Sequence, residues 1–145
     1  MIREVSEMKE EEIQKRIARA NALHESGCNC AQAVVCAFSD VLGEDESTLF
    51  RVSEAFGLGM GRMDTCGAVT GMYMVTGLAM SSGGTDQGIT KGATLKKTKE
   101  LGDAFTAKNG SMVCRELKGV GTGKMLRSCP GCIEDAVRIL GEQLL

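Results

Sequence analysis

At 145 residues the chain is long enough for one domain with a sizeable core, and its 17 basic residues nearly balance 19 acidic ones. With no basic run, one Tyr, four Phe and no Trp, a nucleic-acid surface with stacking aromatics is excluded. The opening MIREVSEMKEEEIQKR lacks the apolar run of a secretory signal, and the longest weakly polar stretch, residues 67–80, is too short and too rich in Gly and Thr to span a bilayer.

In chain order, Ile13, Ile17, Ala20 and His24 fall at helical spacing, so residues 9–24 read as a first helix, closed by Gly27. Asn29 caps a second, CAQAVVCAFSDVL, apolar around most of its circumference and therefore central. A third starts near Asp45 and directs Leu49, Val52 and Phe56 inward. FGLGMGRMDTCGAVTG then carries glycines at 57, 59, 61, 67 and 71, too dense up to 61 for good helix. Asp64 or Thr65 caps a fourth helix to about Met80, in which Gly67 and Gly71 stack one turn apart and admit a close neighbour.

Residues 81–88 form a loop by composition. A fifth helix spans about 90–107 with Thr94, Thr98, Leu101 and Phe105 on one face. After Asn109-Gly110-Ser111 comes a short helix, MVCRELKG, and GVGTGK is a flexible connector. The last helix aligns Ile133, Ala136, Val137, Leu140 and Leu144. No period-2 alternation, repeat or linker interrupts this pattern, so the expected architecture is all-α: one domain over 1–145, a compact bundle of six or seven helices.

Seven cysteines stand against that background. The composition predicts a cytoplasmic protein, and there cysteines are catalytic, metal-binding or simply buried rather than a disulfide framework. Cys30, Cys66, Cys114 and Cys129 each fall in the first turn of a predicted helix, where unpaired N–H groups and the dipole favour thiolate. Four such N-termini brought together make a pocket for a metal, a cluster or an exchangeable disulfide. Cys36 lies about 240° around the helix from Cys30 and reads as core. Cys28, in the corner before Asn29, reaches the site or faces solvent. Cys132, one turn after Cys129, is either a partner thiol or a core residue. His24, the single histidine, reads as a helix-end residue more readily than as a ligand or proton relay.

GLGMGR and GVGTGK fail as phosphate loops: Lys118 stands where a Walker loop needs Gly, and Met125 where it needs Ser or Thr. No carboxylate or histidine constellation for acid–base catalysis is visible, which leaves enzymatic activity open.

NCAQAV at 29–34, FGLGMGR at 56–62, TCGAVTG at 65–71, VCRELKG at 113–119 and CPGCIEDAVRIL at 129–140 resemble the C_GCAxxG_C_C family of putative redox-active proteins. Carried over residue by residue, its four cysteines match Cys30, Cys66, Cys114 and Cys129, and its CGAxxG motif is Cys66 through Gly71. Cys28, Cys36 and Cys132 depart from the family pattern.

The resemblance implies redox chemistry and, because related domains accompany electron-transfer cofactors, strengthens the case for an iron–sulfur cluster. The resulting expectation is a redox protein whose four cysteines ligate an iron–sulfur cluster or cycle between dithiol and disulfide, with a redox partner protein. Gly57, Gly59, Gly61, Gly67 and Gly71 would bring backbone close to the sulfurs. The alternatives are a zinc or soft-metal module on the same cysteines, and a helical interaction domain with merely buried thiols. The sequence points to neither nucleic acid nor membrane insertion, and a homo-oligomer is compatible with it.

Overall fold

The computed structural model describes residues 8–145; of the charged opening stretch read above, residues 1–7 lie outside this range. Eight α-helices follow in order: α1 (Glu10–Glu25), α2 (Cys30–Cys36), α3 (Ser39–Leu42), α4 (Glu46–Ser53), α5 (Gly67–Met80), α6 (Lys91–Asn109), α7 (Cys114–Lys118) and α8 (Cys129–Gln143). Among the described residues there is no strand, and no helix is long and apolar enough to cross a membrane.

The centre is α2. Its Asn29 cap accepts from the Gln32 N–H while Gln32 accepts from the Asn29 N–H, a reciprocal capping box that fixes where the helix begins. Every residue from Ala31 to Cys36 is buried, because α1, α4, α5 and α8 surround it. The closest of these packings depends on two glycines of α5. A Cβ on Gly71 would lie 2.9 Å from the Ala31 carbonyl oxygen, and one on Gly67 3.1 Å from the Cys30 Cβ. Only bare backbone lets the start of α5 rest on the start of α2, and that approach sets Cys30 beside Cys66.

α8 lays Ile133, Ala136, Val137 and Leu140, all fully buried, against α1 and α5. Arg138 clamps it to α1 through two 2.9 Å bonds to Glu10. Arg16 on α1 donates to the Ala37 carbonyl at 3.1 Å and pairs with Asp40, holding the exit from α2. α6 covers α5 and α8 with Leu101 and Phe105.

Three local expectations change. The single helix expected over 30–42 divides into α2 and α3, because Phe38 leaves helical geometry (φ −112°, ψ 7°) while its ring is fully buried; this break takes the helix count to eight. Val52 points outward at 57% exposure, since the buried face of α4 runs through Leu49 and Ser53 and the chain then tightens into a 3₁₀ turn at Glu54–Phe56. The cap of α5 is Cys66 itself, one residue beyond Thr65.

Candidate functional site

Local sequence signals put each thiol at a helix start, and packing brings the starts together. Cys30 follows the Asn29 capping box directly. Cys129 follows Ser128, whose hydroxyl accepts from the Gly131 N–H at 3.1 Å, and Pro130 in the first turn needs no N–H partner. Cys66 and Cys114 are joined by an isolated antiparallel bridge between Thr65 and Val113. Its flanking bonds run from the Cys66 N–H to the Met112 carbonyl (2.8 Å) and from the Cys114 N–H to the Asp64 carbonyl (2.6 Å), so the starts of α5 and α7 are pinned side by side.

Asp64 reaches that bridge through a single π-helical turn, Gly59–Met63, around which Leu58, Met60 and Met63 all take left-handed backbone (φ 51°, 58° and 57°). Non-glycine residues there cost about 1–2 kcal/mol each, strain of the kind that accumulates at functional sites. Leu58 ends at the wall of a solvent-open cleft of about 180 Å³.

Cys30, Cys66, Cys114, Cys129 and Cys132 all line this cleft, as do His24, Lys118 and Arg127. Cys66, Cys114 and Cys132 are buried, whereas Cys30 and Cys129 are half-exposed. All seven cysteines are free thiols. Gly67 alone of the five glycines singled out above lines the cleft; Gly57 lies against the Asn29 side chain and Gly71 against Ala31 and Val34. Cys28 and Cys36 stand apart, near Glu46. Burial raises both, Cys36 to about 11, and the Cys36 thiol donates to the Glu46 carbonyl at 3.9 Å.

The five thiols fall into two hydrogen-bonded pairs, Cys30 with Cys129 and Cys66 with Cys132, with Cys114 alongside. Within each pair the surroundings decide which sulfur carries the charge. Cys129 is held down to about 5, first by the hydrogen bond from Cys30 and then, against the cost of burial, by the Lys118 ammonium and His24. Its partner Cys30 is pushed well up, by that same bond and by burial. Cys66 is lowered by its bond from Cys132 and by the Ala68 and Val69 N–H groups of the first turn of α5; Cys132 is raised. Cys114 is raised, chiefly by burial and then by Cys66. Helix-start N–H groups therefore favour thiolate at Cys66, Cys129 is lowered by Cys30, Lys118 and His24 instead, and at Cys30 and Cys114 neighbouring sulfurs and burial raise the thiol.

Among the described residues no three His, Cys, Asp or Glu side chains are gathered as a metal-holding group; the sulfurs are arranged two and two. Sequence reasoning missed three contributors. Lys118 sits four residues after Cys114, so the i, i+4 relation to a cysteine was its signal. Arg127 is held by Asp135, a 2%-exposed carboxylate on the inner face of α8, through bonds of 3.1 and 3.2 Å. An acidic residue one turn after Cys132 in an otherwise apolar stripe was the only hint of that pair.

A family model described as "Putative redox-active protein (C_GCAxxG_C_C)" matches residues 28–143, from just before the first of these thiols to the end of α8. No curated protein and no solved structure matches the chain.

Proposed function

The chain belongs to the C_GCAxxG_C_C family of putative redox-active proteins, and from that premise we propose that it performs thiol–disulfide exchange through Cys129 and Cys30. The observation that carries this reading is the meeting of Cys30 and Cys129 on one solvent-open cleft with Lys118 on the same wall, surroundings that lower Cys129 and raise Cys30. That is the division of labour between an attacking and a resolving thiol.

The Cys129 thiolate attacks a substrate disulfide, forming one S–S bond and releasing one substrate thiolate. Cys30 then gives up its proton and attacks the Cys129 sulfur, which expels the second substrate thiolate. The protein dithiol loses two electrons and the substrate disulfide gains them. The two released thiolates take one proton from Cys30 and one from solvent. Cys66 and Cys132, deeper in the cleft, form a second dithiol that can accept the oxidation from the first. A reducing cytoplasm is the setting that suits seven free thiols.

A second reading rests on the five cysteine sulfurs that line the cleft. Cys30, Cys66, Cys114 and Cys129 are the residues that would hold an iron–sulfur cluster, or zinc, and a cluster would supply one-electron transfer. The chain's own contribution would include the Ala68 and Val69 N–H groups at the start of α5, which bond to the Cys66 sulfur.

One preparation separates the two. Protein isolated without air is analysed for iron, zinc and acid-labile sulfide, then oxidised with diamide and mapped by peptide mass spectrometry. Thiol exchange predicts metal-free protein that acquires a Cys30–Cys129 link. Stoichiometric iron and sulfide with a visible chromophore would replace it with the cluster reading.

A further inference from the structure

The cleft carries a histidine, a lysine and an arginine from three separate elements and, among the described residues, no carboxylate. His24 closes α1, Lys118 closes α7, and Arg127 precedes α8; neither Asp nor Glu lines the cavity. The Arg127 guanidinium is fixed rather than free. It spends Nε and one terminal nitrogen on Asp135, which also pairs with Lys108 at 3.1 Å, so one buried carboxylate faces two cations. The remaining terminal nitrogen of Arg127 has no partner among the described residues.

Gly131, inside the CPGC sequence, leaves the room this needs, because a Cβ there would run into the Arg127 side chain. Lys118 lines the same cleft as Cys129. The cleft is too small for a folded partner to enter, and the unpaired Arg127 nitrogen is the group on its wall left to meet a small anion.

We propose that the substrate is a small disulfide bearing carboxylates, which Arg127 engages while the Cys129 and Cys30 thiols reduce it. This rests on the thiol-exchange reading above and adds to it the chemical class of the oxidant. The exchange balances as before: protein dithiol plus RSSR gives protein disulfide plus two RSH, where R ends in a carboxylate. Arg127 makes no covalent bond; it positions the carboxylate so that the disulfide lies over the exposed sulfur of Cys129.

Three disulfides of similar size test this: dithiodipropionate, which is anionic; hydroxyethyl disulfide, which is neutral; and cystamine, which is cationic. The oxidation rate of the reduced full chain by each, followed by loss of thiols, is divided by the rate for free dithiothreitol under the same conditions. The expected order is anionic, neutral, cationic, with about three- to tenfold between steps at low salt, and the spread narrows as ionic strength rises. Arg127→Gln brings the anionic-to-neutral ratio towards one in protein whose helical circular dichroism and urea midpoint match the native chain, since unfolded chain would also lose the selection.

Equal rates for all three, or cystamine fastest, overturns the charge selection while leaving thiol exchange in place. If none of the three forms the Cys30–Cys129 disulfide, the exchange reading fails, and this inference with it.

Discussion

Replacing Cys30 with Ala removes the hydrogen bond that contributes most to lowering Cys129 from an ordinary thiol's 9.0 to about 5. Lys118 and His24 remain, so Cys129 returns most but not all of the way. At pH 7 a thiol at about 5 is almost wholly ionised, whereas one near 9 is about 1% thiolate, roughly a hundredfold difference in reactive species. The rate difference at pH 7 is far smaller, because nucleophilicity rises with basicity (Brønsted slope about 0.4–0.5) and returns a factor of roughly fifty over four pH units. A single-pH rate is therefore a poor readout, and the shape of the profile is the diagnostic one. Alkylation of Cys129 by iodoacetamide, quantified by peptide mass spectrometry, should be flat from pH 6 to 8 in the native chain. In Cys30→Ala it should climb close to tenfold per pH unit over the same interval. A native profile that already climbs tenfold per unit would refute the claim that Cys129 rests as a thiolate.

The two pairs predict distinct losses on deletion: Cys129→Ala abolishes oxidation by small disulfides, while Cys132→Ala keeps it but halves the electrons the protein gives up at equilibrium, from four to two. Equal losses in the two variants would make Cys132 part of the attacking pair. Gly71→Ala should destabilise the fold by about 1–3 kcal/mol in urea unfolding, because its methyl group is forced against the Ala31 carbonyl and Val34 where α5 meets α2. Asn29→Ala should cost about 1 kcal/mol by the same assay, through loss of the α2 capping box next to Cys30.

What the sequence disclosed was whatever local chemistry dictates. Asn29 before Cys30 and Ser128-Cys129-Pro130 mark helix starts by capping rules alone, and the Gly67–Gly71 spacing signals a close helix neighbour because only missing side chains permit one. The membership of the cleft was less legible. Cys132 could be core or site from its spacing, and only the packing of α8 against α5 brings it to Cys66. Thiolate preference was the least legible. The helix-start argument treats Cys30 and Cys129 alike, yet they end on opposite sides of an ordinary thiol because one proton is shared between them and Lys118 stands by Cys129. The Asp135–Arg127 pair spans eight residues across a helix start, a relation that periodicity does not encode.

The most direct test of the central claim is a redox titration of the metal-free chain against dithiothreitol and glutathione buffers, with thiols trapped by alkylation at each poise. Thiol exchange predicts that Cys30 and Cys129 disappear together in a two-electron step, with a midpoint in the range of exchange-active proteins, about −300 to −120 mV. Both thiols staying reduced across that whole range, or one lost without the other, would contradict it.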